Sequence, residues 1–198
     1  MVQAYHVIFS TYGFWLPNDP RGSGSDCVAA PHLQQFGLAT KVQTKQSVAH
    51  HSHDCALRRI AKEQLKYPSV IFDGAQARAV ARGFAKVLTE YNYPMYACAI
   101  LPEHMHLVIG RHARAVERIV AHLKRGATLK LFEEDRHPLM GYRGPRGAVP
   151  SPWSKRTGWT VYLNDDQSVR HRIKYVQENP AKEGKPRQRW SFVKPFRV

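Results

Sequence analysis

The apolar residues between 74 and 134 change their spacing twice, and this limits the chain to few folds. Over residues 74–91, Ala77, Val80, Ala81, Phe84, Val87, Leu88 and Tyr91 recur at steps of three and four, as an amphipathic helix requires. Asp73 stands at the N-cap position. Residues 93–101 and 104–111 then read as strands, joined through a turn at Pro102-Glu103 into a hairpin. From about 115 to 134 the helical spacing returns, with Val116, Ile119, Val120, Leu123, Ala127 and Leu131 pointing inward.

The flanks complete the pattern. Residues 4–11 form a strand in which Tyr5, Val7 and Phe9 alternate with His6, Ile8 and Ser10. Apolar residues at both sets of positions suit an inner strand. Turn formers over 16–25 stop it. Trp159 to Leu163 is the last strand, and Asp165 or Asp166 caps a third helix expected to end before Pro180, since the residue ahead of a proline disfavours helical backbone. The order is β-α-β-β-α-β followed by a helix. This predicts an α+β, ferredoxin-like core: an antiparallel sheet with helices on one face, plus a C-terminal helix. The 198 residues suit one domain, with an insertion at about 18–70 and a basic tail at 181–198. Within the insertion a short helix is expected over 55–65, where Ala56, Ile60 and Ala61 share a face. Residues 136–157, rich in proline and glycine, read as a loop.

Lys and Arg number 30 against 15 for Asp and Glu, a formal net charge of +15. Such an excess seeks polyanions. The charge is interleaved with aromatics and includes no polybasic run beside an apolar helix, which favours nucleic acid over membrane. No stretch approaches the roughly 20 apolar residues of a membrane span, and the first 17 residues make a poor signal peptide. Cys27, Cys55 and Cys98 are odd in number and far apart, so a reducing, cytoplasmic location is expected.

Two short segments carry chemistry. In Leu101-Pro102-Glu103-His104-Met105-His106-Leu107-Val108-Ile109, residues two apart on a strand share a face, so His104 and His106 converge. Two imidazoles so placed can share a metal ion; alone, they are equally two packed or solvent-facing histidines. In Arg172-Ile173-Lys174-Tyr175-Val176-Gln177-Glu178-Asn179-Pro180, Val169, Ile173 and Val176 form the buried face of the third helix. Tyr175 and Asn179 stack one turn apart on its flank, where they can reach a neighbouring site without being buried. Alone, that pair is a boundary tyrosine with a helix-terminal asparagine.

Together the two segments resemble the single-tyrosine HUH transposases, and most closely their REP-associated branch. Pro102, His104, Met105 and His106 match the family's His-hydrophobic-His strand, and Tyr175, Asn179 and Pro180 match its Tyr-x-x-x-Asn-Pro helix. The resemblance covers both ends and about the last two-thirds of the chain. Glu103 departs from the asparagine more usual there, and the 18–69 stretch is longer than in many members. The resemblance implies that His104, His106 and the Asn179 side-chain oxygen hold a divalent ion, Mg2+ or Mn2+, whose open positions take oxygens of the scissile phosphate. It implies that Tyr175 attacks that phosphate in single-stranded DNA, at hairpin-flanked sites, through a 5′-phosphotyrosine. A free phenol ionises only near pH ~10; His171, one turn before Tyr175, is a candidate base and equally a solvated histidine. The branch tends to be monomeric, whereas related insertion-sequence enzymes exchange tyrosine helices as dimers, so a monomer is weakly favoured.

A DNA surface is read from Lys124, Arg125 and Lys130 on the second helix and from Arg143, Arg146, Lys155 and Arg156 in the loop. Tyr142 and Trp153 lie among them and can stack on unpaired bases. Basic residues of the tail add phosphate affinity. The alternative function is a domesticated relative that binds structured nucleic acid without cutting. Cys27, His32, His50, His51, His53 and Cys55 lack the paired spacing of a zinc site. Tyr162, a rival nucleophile, sits within a strand, where packing is the better reading.

Overall fold

The computed structural model describes residues 1–17, 19, 27–28, 30–39, 54–155 and 158–197. Four strands form one antiparallel sheet: β1 (Ala4–Ser10), β2 (Met95–Ile100), β3 (His104–Gly110) and β4 (Trp159–Leu163), in the order β2-β3-β1-β4. With α2 (Gly74–Glu90) between β1 and β2 and α3 (Val116–Glu133) between β3 and β4, this is the ferredoxin-like arrangement. α4 (Asp166–Lys182) follows β4.

Local chemistry places the helix starts. The Asp73 carboxylate accepts from the Gln76 amide at 2.7 Å while the Gln76 side chain accepts from the Asp73 amide at 3.0 Å, a reciprocal capping box. Asp165, rather than Asp166, caps α4 by accepting from the Ser168 amide at 2.8 Å. α2 and α3 pack closely because each carries a glycine at the crossing. A Cβ on Gly83 would lie 2.6 Å from the Ala127 Cα, and one on Gly126 would meet Val87.

The chain forms two compact units: Met1–Ser10, Ile71–Pro138 and Lys155–Val198 in the first, Thr11–Val70 and Leu139–Ser154 in the second. The first holds the sheet and α2 to α4. The second is built from the described part of the insertion together with much of the expected loop. Thr11 bridges to Trp153, the Tyr12 amide donates to the Pro152 carbonyl at 2.9 Å, and the Thr11 hydroxyl donates to the Val70 carbonyl at 2.7 Å. Its small core joins Leu16, Leu33, Phe36 and Ala61, using α1 (Cys55–Glu63) and a 3-10 turn, Pro31–Phe36, that no periodicity announces. Ala56 and Ile60 are exposed, contrary to expectation. The buried side of α1 runs through Leu57 and Ala61 instead.

Two further expectations are corrected. α4 continues through Pro180 to Lys182. Pro180 lacks the donor for the Val176 carbonyl and its ring crowds that carbonyl, and the burial of Val176, Asn179 and Pro180 offsets this cost together with the preference against helical backbone at Asn179. The tail, expected as a basic surface segment, is also tied to the exposed edge of β2. The Gln188 side chain both accepts from the Ile100 amide at 2.8 Å and donates to its carbonyl at 2.7 Å, and the Lys194 amide donates to the Met95 carbonyl at 2.8 Å. This covers backbone groups that an edge strand would otherwise present.

Candidate active site

Register decides which side chains meet. β1 and β3 pair with Ile8 opposite His106, His6 opposite Val108 and Ser10 opposite His104, and β2 sets Ala99 opposite His106. Partners in a ladder point to the same face. One face of the sheet therefore carries His6, His104 and His106 among Ala4, Ala97, Ala99 and Val108. The small alanines leave room for α4, which lays Val169 and Val176 on this face, with Ile173 and Tyr175 partly buried beside them.

The tyrosine helix and the His-x-His strand thereby meet. The Tyr175 ring lies 5.8 Å, centroid to centroid, from both His106 and His6, edge-on to each. His104 and His106 are 5.0 Å apart by the same measure. Asn179, one turn beyond Tyr175, is only 7% exposed, more enclosed than a flank position implies, because the helix end turns into the sheet. Arg172 and Lys182 flank the phenol, with their charged ends 5.8 and 4.9 Å from its centroid. Two cations thus border the Tyr175 ring.

Burial governs the electrostatics. It lowers the His6 pKa to about 3, helped by the Arg172 charge. It also holds His106 well below the ordinary histidine value, with repulsion from His104, His6 and Arg172 added. Both rings are therefore neutral at physiological pH, the form that offers a lone pair to a metal. The His6 Nε2 and His106 Nδ1 atoms are 3.3 Å apart, and the two rings are nearly coplanar, edge to edge.

The donor set suits a divalent cation. Two imidazoles lie side by side, and the buried Asn179 Nδ2 and His6 Nδ1 atoms make no hydrogen bond to the protein among the described residues, as polar atoms reserved for an incoming group would. Glu183, at the end of α4, places Oε1 3.3 Å from His104 Nε2, so a carboxylate already faces a nitrogen that a metal could use. Among the described residues, no three His, Cys, Asp or Glu side chains are pre-arranged as a metal site. Loading this centre requires the His104–Glu183 contact to open or to be shared.

The remaining expected residues are dispersed. Arg125 is exposed on α3, and Lys130 pairs with Glu133 at 3.0 Å. Lys124 is not an open phosphate contact: it lies over the Phe9 ring at 5.0 Å, and burial lowers its pKa to about 8. Lys155 is exposed in the first unit, while Tyr142, Arg143, Arg146 and Trp153 belong to the second. Tyr142 is 46% exposed, against a Tyr67 ring 5.7 Å away, and can receive a base. Trp153 cannot: it is 4% exposed because its backbone bridges to Thr11 and draws the ring into the unit. Arg156 lies outside the described residues, as do His50, His51 and His53. Tyr162 is 55% exposed, not packed, because β4 is an edge strand. It stacks edge-on with Tyr5, on the sheet face opposite Tyr175. His171 is exposed, whereas His6 and His106 are the histidines beside the Tyr175 ring.

Sequence reasoning missed His6, Glu183 and Arg172. The only signal for His6 was a polar residue at an alternating position of an apolar inner strand. Glu183 stands four residues after Asn179 and Arg172 three before Tyr175, spacings that share a helix side.

No family model matches the chain, and no curated protein does. Among solved structures, the chain is similar to a REP-associated tyrosine transposase bound to a REP hairpin, at 12% identity and a TM-score of 0.47, over 92% of this chain and 68% of that one. It is also similar to a candidate transposase from Deinococcus radiodurans R1, at 14% identity and a TM-score of 0.40, over 90% and 91%. At these identities and TM-scores the likenesses establish no activity. No described helix is long and apolar enough to cross a membrane.

Proposed function

We propose that this protein is a transposase-like enzyme that cleaves and rejoins single-stranded DNA at hairpin-flanked sites, with Tyr175 as nucleophile and a divalent cation as cofactor. The observation that carries the reading is the approach of Tyr175 to His106, with His104 beside that histidine and the enclosed Asn179 one helical turn beyond the phenol. In one step the Tyr175 oxygen forms a bond to phosphorus while the bond from phosphorus to the 3′ oxygen breaks. The Tyr175 hydroxyl loses its proton and the departing 3′ oxygen gains one. The product is a 5′-phosphotyrosine and a 3′-hydroxyl, and a second 3′-hydroxyl can reverse the step and join a new end. His104, His106 and Asn179 would hold the cation, which supplies Lewis-acid polarisation of the scissile phosphate. Arg172 and Lys182 offset the phosphate charge at the phenol.

The test is a covalent adduct. Wild-type protein incubated with labelled single-stranded hairpin DNA and Mg2+ or Mn2+ should yield a protein–DNA band that survives a denaturing gel. Chelator should abolish it. Tyr175→Phe should give none while binding DNA as well as wild type. Tight binding without any adduct in the wild type would select the non-cleaving binder instead. Binding should weaken steeply with salt, each neutralised phosphate adding about 0.7 to the log–log slope, and plain duplex should bind worst because its bases are not exposed for stacking.

A further inference from the structure

His6 belongs to no part of the reaction just described, yet it is the most enclosed polar ring at the site. It is almost fully buried, lies nearly coplanar with His106 and places Nε2 3.3 Å from His106 Nδ1. A hydrogen bond between two imidazole nitrogens contains one hydrogen, which belongs to one ring or the other. If it sits on His6, the neutral His106 ring carries its own hydrogen on Nε2 and has no lone pair there. If it sits on His106 Nδ1, Nε2 is bare and can bind a cation. The hydrogen bond made by one ring nitrogen sets what the other can do.

We infer that His6 is a positioning residue: its Nε2 accepts the His106 Nδ1–H and so presents the His106 Nε2 lone pair to the cation. The inference rests on the metal-dependent reading of the site. Three observations support it. The two rings are nearly coplanar, at 17°, with centroids 5.5 Å and facing nitrogens 3.3 Å apart, so they meet edge to edge and the hydrogen bond lies close to the plane of both rings. The β1–β3 register, with His6 opposite Val108 and Ile8 opposite His106, fixes the diagonal spacing of the rings by backbone pairing. Finally, this arrangement puts the His6 hydrogen on Nδ1, a buried atom with no protein partner among the described residues. No protein donor among the described residues reaches that atom to hold it as a bare acceptor, so its surroundings do not oppose the tautomer that metal binding needs. The His6 ring also backs Tyr175 at 5.8 Å, so one side chain braces the metal-binding strand and the nucleophile together.

The experiment measures Mn2+ affinity without DNA, by calorimetry or by the paramagnetic resonance of the unbound ion. His6→Phe keeps an aromatic ring in the space and removes the acceptor; His6→Gln restores an acceptor without the ring. The expected result is a loss of roughly 10- to 100-fold in Mn2+ affinity for His6→Phe, with much of it recovered in His6→Gln. A purely structural role would order the variants by ring packing instead, with His6→Gln the worse. Histidine-labelled wild-type protein with Mg2+ should show the His106 hydrogen on Nδ1 in long-range proton–nitrogen spectra, a readout that does not depend on how the variants fold. His6→Phe with wild-type Mn2+ affinity, or the His106 hydrogen on Nε2 in the Mg2+ form, overturns the inference and leaves the metal reading intact, provided His104→Ala abolishes Mn2+ binding. Absence of Mn2+ binding by the wild type overturns both.

Discussion

The two faces of the sheet are built from the same strands and do opposite things. On one, Val7, Phe9, Met95, Met105, Leu107 and Ile109 are wholly buried. Phe84 of α2 and the stem of Lys124 on α3 meet Phe9 there. On the other, alanines and three histidines share the face that a single helix packs against, and the neutral His6 and His106 rings and a phenol replace the large apolar groups. Burial that would favour an aliphatic residue is used on the second face to keep histidines uncharged. The first face supplies stability and the second consumes some of it, as expected where polar groups are enclosed for chemistry.

If that division holds, changes on the two faces should separate activity from stability. The largest effect belongs to the polar face. Tyr175→Phe and His104→Ala should each reduce adduct formation to background while the thermal midpoint moves little, read by denaturing gel and by calorimetric melting. A variant that melts far earlier would mean that the site also carries the fold. Asn179→Ala should be milder, since water can replace one neutral ligand.

On the apolar face, Leu107→Ala should destabilise by about 2–5 kcal/mol, measured by urea unfolding, with adduct yield per folded molecule unchanged. Gly83→Ala should cost about 1–3 kcal/mol, because the new Cβ meets backbone of α3 at 2.6 Å and backbone cannot rotate away. A neutral or stabilising outcome would show that the α2–α3 crossing can widen.

The pH response belongs to the histidine face. The folded-state pKa of His6, about 3, and that of His106 lie below the unfolded value of 6.5. Between those limits the unfolded chain binds more protons, so stability is complete above about pH 6.5 and falls as the pH drops towards 3. Each group contributes at most about 1.4 kcal/mol per pH unit. Urea midpoints from pH 7 to 4 should show the fall, and His6→Phe should flatten it; an equal slope in the variant would remove His6 as a cause. The smallest effect is expected for Asp73→Ala, which breaks the cap of α2 and should cost about 1 kcal/mol without altering adduct yield.

Much of the fold was legible because its signals are local. Asp73 and Gln76 cap a helix across three residues, the apolar steps from Ala77 to Leu88 mark its buried side, and Pro102-Glu103 announces the hairpin turn. The site was half legible for the same reason. His104 and His106 share a face by strand period, and Tyr175 and Asn179 share one by helix period. What escaped depended on partners distant in the chain. Trp153 was read as a base-stacking ring but is buried through its bridge to Thr11. Tyr162 was read as packed but is exposed because β4 lies at the sheet edge. Pro180 was read as a stop, yet burial of its neighbours carries α4 past it.

By itself, the sequence determined the elements, their order and two pairs of chemically matched side chains, because side-chain direction within one strand or helix follows from backbone period alone. The tertiary structure decided that these pairs meet, and that His6 meets them. Which residue of β1 lies beside which residue of β3 is a matter of register between segments about a hundred residues apart. A shift of one residue would turn His6 to the opposite face, and nothing within either strand alone specifies that alignment.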